Sequence, residues 1–590
     1  MNSPLPGIAA TYRVRGVAAR SKSAEQGNWY RTTIFFHCRK TFFVIYSIRH
    51  VRNYRMNPFL ALSKLLDIGL VGTIAIAASG IASSSAALLF LRPAQAEPVP
   101  AVTQQQVQAA LVKLDKLAEQ TLKRTGVPGI AIAVVYKDQV VYLKGFGVRE
   151  AGKNESVDAN TVFQLASMSK PIASTIVAAL VSDGLVGWDD HVIDHDSKFQ
   201  MYDPWVNHEV TIRDFFSHRS GLSGNAGNDL EELGYGRDQI LDRLRYLQPT
   251  SSFRSTYAYS NFGITEGAIA AAKATGKPWE EVAVEKLYKP LGMTSTSSRH
   301  EDFVAQKNRA HLHILVNGKW TPKFTRDADA QSPAGGVSSN ARDLTQWMRL
   351  QLANGKFDGK PLISEDALAQ THLPLILRGP SPVTGKPTFY GLGWGIDYDG
   401  QGRVLWGHAG AFSLGARTVV NLIPSEELGI VVLANAFPTG VPEGIANTFF
   451  DLVHEGKPSQ DWLAVWNKLY DQLAAGFVAA STVYANPPEL PAPALPPTAY
   501  VGTYANDYVG NIEIKKKEGK LVIQEGPQKK IFPLTHYDRD LFIYYPAEEA
   551  PKAPSGVTFT IGPDQKASQV VIDDLNDDGQ GIFTRVPAKK

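Results

Sequence analysis

The chain has 590 residues, of which 44% are hydrophobic and 20% are charged, so it is long enough for two or three domains with apolar cores. Its net charge of +3 is unevenly distributed. Residues 1–55 hold ten Lys and Arg against one acid, Glu25, and residues 56–96 add one net positive charge. The remainder therefore carries a net charge of −7, which argues against nucleic acid as a partner.

The first 96 residues have the features of an export leader. Residues 68–91 are apolar and rich in small side chains, and Ala94-Gln95-Ala96 is a cleavage pattern of secretory signal peptides. Residues 1–55 are too long and too basic for such a peptide, whereas Met56 begins an ordinary one, so we expect the natural start at Met56 and cleavage after Ala96. The protein is then predicted to be periplasmic or secreted. The alternative is that residues 68–91 remain as a membrane anchor, with the rest facing the periplasm.

Cysteine usage agrees with export. The one cysteine, Cys38, lies in the doubtful start region. The mature chain is therefore predicted to contain no disulfide and no thiol chemistry, which is compatible with an oxidising compartment.

Residues 97–485 are predicted to form one α/β domain. Residues 104–124 have the periodicity of an amphipathic helix, and residues 131–142 have that of two strands around a polar turn. The late apolar run at 429–435 predicts a strand that joins them in one antiparallel sheet. Helical segments lie between these strands. We therefore expect an antiparallel sheet flanked by helices, with an inserted helical region that faces it across a cleft.

Within that domain, Ser167 and Lys170 have the spacing of a nucleophile and its base. Three residues apart on a helix, their side chains share one face, with about 5 to 6 Å between Cβ atoms. A lysine activates a serine hydroxyl if burial or nearby cations lower its pKa from about 10.4. Pro171, before the apolar run 172–180, predicts a buried helix that begins at Ser167, where free N–H groups favour a negatively charged intermediate. Taken alone, the pattern also fits a surface helix start.

Two later strings offer the other parts of a serine acyl-transfer site. Tyr259-Ser260-Asn261 supplies a phenol and an amide, although by itself it is an ordinary loop-to-helix start with a capping residue. His408-Ala409-Gly410 offers a backbone wall that can bind a developing oxyanion, or, taken alone, a strand turn. The three strings together favour covalent catalysis by serine.

These strings resemble, in order, motifs of the serine β-lactamase and penicillin-binding-protein superfamily, in particular its class C β-lactamase-like branch of DD-peptidases and esterases (peptidase S12-type). Further blocks in the same order are Val210–Leu222, Leu291–Thr296, Ala334–Leu344 and Tyr390–Gly395. Such a series is hard to obtain by chance. The resemblance implies a β-lactamase/transpeptidase-like fold and an acyl-enzyme mechanism.

Carried over to this sequence, the resemblance implies a role for each residue. Ser167 is the acylated nucleophile, Lys170 its activating partner, and Tyr259 the phenol or phenolate that exchanges protons with the serine, the leaving group and the hydrolytic water. Asn261 binds the substrate's acyl amide or carbonyl and touches Lys170. The oxyanion hole is formed by the backbone N–H groups of Ser167 and Ala411. We also expect the charge of Lys170 to draw the pKa of Tyr259 below about 10.

One departure bears on the substrate. Penicillin-destroying members have Lys-Thr-Gly or Lys-Ser-Gly, which holds the substrate carboxylate, where this chain has His408-Ala409-Gly410. A neutral imidazole does not replace a fixed positive charge. His-x-Gly is typical of the D-aminopeptidase, esterase and uncharacterised hydrolase members, so a β-lactamase assignment is weakened. The chain offers no separate glutamate for deacylation, in agreement with a class C-like mechanism in which Tyr259 assists both steps.

The C-terminal part is predicted to be a separate all-β domain. Residues 486–498 form a proline-rich linker, and residues 499–590 form short strands that resemble the lipocalin-like β-barrel appended to some members of this family. The acidic string 574–579 matches half of a calcium loop, but Arg585 stands where the bidentate Glu is needed, so a solvated hairpin turn is expected.

Metal and cofactor chemistry are not expected. His218 is interpreted as structural, since the family carries a His there outside its catalytic set. The cluster of acids and histidines within 189–196 lacks the ordered spacing of a ligand set. We therefore predict no metal and no cofactor.

The function predicted from sequence is that of an exported serine hydrolase that cleaves amide or ester bonds through an acyl-enzyme on Ser167. Its substrate would be a small peptide, ester or lactam. The runner-up is a β-lactamase or DD-carboxypeptidase that acts on cell-wall-like substrates. A catalytically idle member used for binding or assembly is the alternative from another class, against which the presence of Ser167, Lys170 and Tyr259 argues. Neither the substrate nor the oligomeric state follows from the sequence.

Overall fold

The structure is a computed structural model that describes residues 101–546 and 553–587, without the side chains of residues 474 and 476–481. The predictions for the leader, including Cys38, the apolar stretch 68–91 and the cleavage site, lie outside the described residues. None of the helices in the described ranges combines the length and apolar character that a bilayer span requires.

The helices connect the strands of the main sheet and cover both of its faces. In chain order they are α1 (Gln104–Thr125), α2 (Ser169–Ser182), α3 (Val192–His195), α4 (Pro204–Glu209), α5 (Ile212–Phe216), α6 (Asn228–Glu232), α7 (Arg237–Arg243), α8 (Asn261–Lys273), α9 (Trp279–Ala283), α10 (His300–Ala305), α11 (Ser332–Gly335), α12 (Ala341–Leu352), α13 (Glu365–Ala369), α14 (Val441–Glu455) and α15 (Trp462–Ser481).

The strands fall into a main sheet, three short two-stranded ladders and a C-terminal sheet. Those before the linker are β1 (Gly129–Tyr136), β2 (Gln139–Gly147), β3 (Phe163–Gln164), β4 (His313–Val316), β5 (Lys319–Pro322), β6 (Ser338–Ser339), β7 (Lys356–Phe357), β8 (Lys360–Pro361), β9 (Ile376–Pro380), β10 (Pro387–Tyr390), β11 (Gly395–Tyr398), β12 (Val404–Phe412), β13 (Ala416–Ile423) and β14 (Leu428–Ala434). Those after it are β15 (Gly502–Asn506), β16 (Gly510–Lys517), β17 (Lys520–Glu525), β18 (Lys530–Pro533), β19 (Thr535–Asp538), β20 (Leu541–Tyr544), β21 (Ser555–Ile561), β22 (Ala567–Ile572) and β23 (Ile582–Arg585).

The main sheet is antiparallel, with the strand order β2-β1-β14-β13-β12-β11-β10-β9 among the described residues. Its first strand pairs with the late strand β14, for example at Ile132 and Val432, as predicted from the two apolar runs. Every residue of β1 and β14 is buried, because helices cover both faces of the sheet at this point. Alternate residues of β1 pack into the core shared with α2, α8 and α12, and the others into the core shared with α1 and α14. The predicted fold, an antiparallel sheet with an inserted helical region, is confirmed.

Local sequence determines where helix α1 begins and ends and which of its faces is buried. Thr103 and Gln106 form a reciprocal capping box that satisfies two free N–H groups at the start of α1. Gly126 ends the helix in the left-handed conformation (φ +66°), where a side chain would be strained. The apolar residues between these caps recur at helical spacing and are buried against the sheet.

The C-terminal strands form a nearly closed antiparallel barrel in the order β18-β17-β16-β15-β23-β22-β21-β20-β19. The barrel prediction is thereby confirmed, although the sequence patterns pointed to strands at the positions of β15, β16, β17, β20 and β21 and not at β18, β19, β22 and β23. The missed strands are short or carry exposed and polar side chains, which hide the alternation of buried and exposed positions.

Turns of the barrel contact the inserted helical region around α6. In the β15–β16 turn, the Tyr508 hydroxyl donates to Asp229 (2.7 Å) and accepts from the Gly227 N–H (2.9 Å). In the β22–β23 turn, Asp578 bonds to the Ser223 hydroxyl. The described part of the chain accordingly belongs to one compact unit. Asp574 of the same turn is bonded to the hydroxyls of Tyr544 and Ser555, so the expectation of a solvated turn is wrong for Asp574 and Asp578.

Candidate active site

Ser167 lies in a single turn of 3₁₀ helix, Ala166–Met168, between β3 and α2. Pro171 lies in the first turn of α2, as predicted, but the helix begins at Ser169 and not at Ser167, because the chain first passes through the 3₁₀ turn. Ala166 has a positive φ of 48°, a strained conformation that turns the chain abruptly from the strand into the helix. Within residues 161–170, Ser167 alone is partly exposed. The turn therefore presents the serine hydroxyl at a surface while its neighbours anchor the loop.

Lys170 is buried one helical turn after the serine, and its amine has three polar neighbours. Its Nζ lies 3.0 Å from Oγ of Ser167, 2.7 Å from Oδ1 of Asn261 and 3.0 Å from the backbone oxygen of Ala334. Burial lowers the pKa of Lys170 well below its usual value. A neutral amine has two N–H groups, which Asn261 and Ala334 can accept, and one lone pair, which then faces the serine hydroxyl. Lys170 is thus arranged as a base toward Ser167.

Tyr259 lies on the other side of the same serine. Its phenol interacts with the Ser167 hydroxyl, and Lys170 Nζ lies over its ring, 4.5 Å from the centroid. Burial raises the pKa of Tyr259 above its usual value. The expectation that Lys170 lowers this pKa is wrong, because the effect of burying the phenol dominates. Tyr259 therefore enters the reaction as a phenol that carries a proton.

Asn261 begins α8 and is held by the cap of that helix. The Ser260 hydroxyl accepts from the Gly263 N–H (3.1 Å), which makes Ser260 the capping residue. Asn261 contacts Lys170 as predicted, and its Nδ2 donates to Oδ1 of Asn228 (3.3 Å) in the region that the barrel turns contact. The amide is thereby fixed with its oxygen toward the lysine.

His408, Gly410 and Ala411 lie on β12, beside the turn that holds Ser167. His408 Nδ1 is 2.9 Å from the Ala409 carbonyl, which can only accept, so Nδ1 carries the proton and Nε2 accepts from the Tyr390 hydroxyl (2.9 Å). Burial lowers the pKa of His408 well below its usual value. Both ring nitrogens are engaged and the ring is neutral, so His408 supplies no positive charge to a substrate.

Gly410 lies where β12 passes close to the nucleophile turn. A Cβ at this position would stand 2.1 Å from the Leu165 oxygen and 2.5 Å from Oγ1 of Thr418, so only glycine fits. Thr418 of β13 in turn donates to the same Leu165 oxygen (2.8 Å). The glycine therefore sets the distance between Ser167 and the backbone of Ala411, the predicted second donor of the oxyanion hole.

Replacing Gly410 with alanine is expected to reduce catalytic turnover by about 100-fold, because the added methyl group displaces β12 from the nucleophile turn. A loss of about 1 to 3 kcal/mol in the free energy of unfolding should accompany it. Gly400→Ala, in the β11–β12 turn, is the matched control, since a Cβ there meets no atom within 4 Å. Steady-state kinetics and thermal unfolding of both variants test this, and equal activities of the two would contradict the close-packing argument.

Two residues that the sequence did not assign to the site line its wall. Tyr390 of β10 holds His408, as described above, and His218 packs against the Tyr259 ring at 4.6 Å between centroids. His218 Nδ1 accepts from the Ser260 N–H (3.0 Å), so the imidazole supports both Tyr259 and the cap of α8. Tyr390 belongs to the block Tyr390–Gly395, which resembles a motif of the family. The alternation of buried and exposed residues along β10 is the sequence signal that could have placed Tyr390 in the wall of the site.

The cluster within 189–196 is organised by ion pairs. Asp189 forms an ion pair with Arg213 and Asp196 forms one with Lys273, while Asp190 contacts the His195 ring nitrogen Nε2 at 2.8 Å. Over the described ranges, no group of three or more His, Cys, Asp or Glu side chains is arranged to hold a metal ion.

The fold and the Ser–Lys–Tyr group between sheet and helices define the β-lactamase and transpeptidase-like class. The chain belongs to the beta-lactamase family, whose sequence profile matches residues 114–454. Residues 486–584 match a domain of unknown function (DUF3471), which coincides with the barrel.

Similar proteins carry names of two kinds. The chain is 27% identical over 422 residues to "Unguisins hydrolase ungD'" of Aspergillus campestris, which covers 67% of this chain and 74% of that protein. It is 26% identical over 339 residues to "Penicillin-binding protein 4" of Amycolatopsis lactamdurans, at 56% and 84% coverage. Among solved structures, the octameric penicillin-binding protein homologue from Pyrococcus abyssi aligns with a TM-score of 0.50 and 20% identity over 78% of this chain and 98% of that one. The structural match supports the fold.

Proposed function

We propose that this protein is an exported serine hydrolase that cleaves amide or ester bonds of small substrates through an acyl-enzyme on Ser167. The observation that carries the proposal is the contact of the Ser167 hydroxyl with both the buried amine of Lys170 and the buried phenol of Tyr259. A serine placed between a neutral base and a protonated acid has both groups that acyl transfer requires.

In the proposed reaction, Lys170 takes the proton of Ser167 as the bond from Oγ to the substrate carbonyl carbon forms. The oxyanion lies between the backbone N–H groups of Ser167 and Ala411. Tyr259 donates its proton to the departing nitrogen or oxygen as that bond breaks, and recovers a proton from Lys170. Water then attacks the acyl-enzyme, with the same two groups moving its proton back toward Ser167. Asn261 orients Lys170 and binds the acyl part of the substrate.

The names of two relatives are compatible with hydrolysis and with binding of penicillin. One relative is named a hydrolase of unguisins and another a penicillin-binding protein. A β-lactamase or DD-carboxypeptidase activity is the second candidate, but the neutral His408 does not favour it, because that position offers no cation to the carboxylate of a penicillin. Rapid turnover of a chromogenic cephalosporin would make β-lactamase activity the first candidate.

Labelling by a fluorescent fluorophosphonate tests the proposal. The wild-type protein should become labelled, and Ser167→Ala should not. Ser169→Ala is the matched control two residues away, because its buried hydroxyl donates to the Ala166 oxygen (2.7 Å) and accepts from the Val337 N–H (2.9 Å). Labelling that persists in a folded Ser167→Ala variant contradicts the proposal, and absence of both labelling and turnover in the wild type favours a binding or assembly role.

A further inference from the structure

A short segment, residues 223–229, lies between the barrel and the start of helix α8. Every second residue of this segment forms a hydrogen bond with a turn of the barrel. These bonds join the Ser223 hydroxyl to Asp578, the Asn225 amide to Oδ2 of Asp577 (3.4 Å), and both the Gly227 N–H (2.9 Å) and Oδ1 of Asp229 (2.7 Å) to the Tyr508 hydroxyl. The barrel therefore holds the segment from its first residue to its last.

The same segment reaches the catalytic lysine through one amide. Asn228 Oδ1 accepts from Nδ2 of Asn261 (3.3 Å), and Oδ1 of Asn261 lies 2.7 Å from Lys170 Nζ. The contact with Asn228 selects the orientation in which Asn261 turns its oxygen, an acceptor, toward Lys170. In the opposite orientation, Nδ2 would donate to the lone pair of the amine that receives the Ser167 proton. Asn228 thus helps to keep that lone pair free.

The backbone of the segment is also in close contact with α8. Gly227 has a φ of +82°, and a Cβ there would stand 2.7 Å from the ring of Phe262, the residue after Asn261. A Cβ at Gly224 would stand 3.2 Å from the backbone oxygen of Tyr259. Because such close packing leaves little room for independent movement, a shift of the segment displaces the start of α8 as well.

Tyr508 is the barrel residue that controls Asn228 most directly. Its hydroxyl donates to the residue after Asn228 and accepts from the residue before it, Asp229 and Gly227. Its side chain is 2% exposed, so the ring is fixed by the barrel core. One buried hydroxyl therefore ties down the backbone on both sides of Asn228, three hydrogen bonds from the amine of Lys170.

We infer that Tyr508 is a positioning residue for the acylation of Ser167, which fixes Asn228 and thereby the orientation of Asn261 toward Lys170. The barrel then supplies one part of the catalytic arrangement from outside the catalytic domain. This inference rests on the proposed function, since it assigns a support to the same serine and its base.

The test measures inactivation of the full chain by a fluorophosphonate at several reagent concentrations, which gives a maximal rate constant and a half-saturation concentration. Ser167 Oγ bonds to phosphorus and fluoride leaves, while the serine proton passes to Lys170. Fluoride departs without a proton from Tyr259, so the rate reports on the base. In Tyr508→Phe, the maximal rate constant should fall about fivefold with an unchanged half-saturation concentration, because the base is misaligned and the reagent does not contact the barrel.

Tyr504→Phe is the matched control within the barrel. It removes a hydroxyl that is also buried and is bonded to the Tyr500 oxygen (2.6 Å) and to Arg585 (2.7 Å), away from the helical region. This variant should react at the wild-type rate. A loss of folded protein lowers the final fraction of labelled chains and not the rate constant, so a merely structural role of Tyr508 does not produce the expected result.

Asn228→Ala tests the path without altering the barrel. Its maximal rate constant should also fall about fivefold, and the double variant with Tyr508→Phe should be within twofold of Asn228→Ala alone, because both changes act through one contact. If Tyr508→Phe fails to fold, Asn228→Ala decides: a slow rate supports the path, and a wild-type rate overturns it.

The outcomes separate this inference from the proposed function. If the wild type is labelled and Tyr508→Phe reacts at the same rate, the role of Tyr508 is overturned and the serine mechanism stands. An equal fall in Tyr504→Phe also overturns it, as do effects of Tyr508→Phe and Asn228→Ala that multiply in the double variant. If the wild type is not labelled, the proposed function fails and the inference fails with it.

Discussion

Lys170→Ala is expected to lower the rate of Ser167 acylation by about 10²- to 10⁴-fold, the range that a positioned base contributes. The amine is the one nitrogen base within 3.0 Å of Ser167 Oγ among the described contacts, and burial lowers its pKa well below the usual value. The pre-steady-state rate of fluorophosphonate labelling measures this step. Lys273→Ala, which removes a lysine paired with Asp196 away from the serine, is the control and should label at the wild-type rate.

The pH dependence separates a base from a fixed charge. Acylation requires the deprotonated amine, so its rate rises with pH through the pKa of Lys170 and is constant above it. Because burial lowers this pKa well below its usual value near 10.5, the wild type should reach its plateau well before that pH. Lys170→Arg keeps a cation that does not deprotonate and should be as inactive as the alanine variant. A rate that still rises tenfold per unit at pH 10, or an active arginine variant, would show that Lys170 is not the base.

Tyr259→Phe is expected to reduce turnover by about 10²- to 10³-fold while leaving the protein folded, because the ring and its packing against His218 are retained. The missing hydroxyl removes the proton donor to the leaving group and the interaction of the phenol with Ser167. The effect should be larger for substrates with poor leaving groups, such as amides, than for aryl esters, since a good leaving group departs without protonation.

The neighbouring Tyr257 provides the matched control. It stands two residues earlier, contacts His218 and Tyr390, and transfers no proton in the proposed reaction. Tyr257→Phe should therefore retain turnover of an uncharged amide within about threefold. Single-turnover kinetics with a matched amide and ester distinguish the two variants. Equal losses of turnover in Tyr257→Phe and Tyr259→Phe would exclude proton donation by Tyr259. The same loss of turnover for the amide and the ester in Tyr259→Phe would exclude it as well.

Much of the site follows from local sequence. The three-residue spacing of Ser167 and Lys170, with Pro171 in the first turn, suffices to place both side chains on one helix face. Ser260 and Asn261 are recognisable as a helix start because a capping hydroxyl must precede free N–H groups. The apolar runs that became β1 and β14 are long enough to identify buried strands, and the two strands pair as predicted from these runs.

Properties that depend on burial by distant segments were not predictable in the same way. The pKa of Tyr259 rises because segments far apart in sequence enclose the phenol. A prediction based on the charge of Lys170 alone therefore gave the wrong direction for this pKa. The contact of Tyr390 with His408 depends on the register of β10, β11 and β12. The β-bulge at Arg378 is an irregularity in the pairing of β9 with β10, and the composition of the surrounding sequence does not predict it. In the barrel, the turn at Asp574 and Asp578 looked solvated because its partners, Tyr544 and Ser223, come from other strands and from the helical region.

The central claim is that Ser167 forms the covalent intermediate while Lys170 and Tyr259 transfer its protons. The most direct measurement is intact-protein mass spectrometry of the wild type quenched during reaction with an activated ester, followed by peptide mapping. The account predicts one acyl group per chain, carried by the peptide that contains Ser167, which decays in the wild type and is absent in Ser167→Ala. An acyl group on any other residue, or turnover that continues in Ser167→Ala, would contradict it.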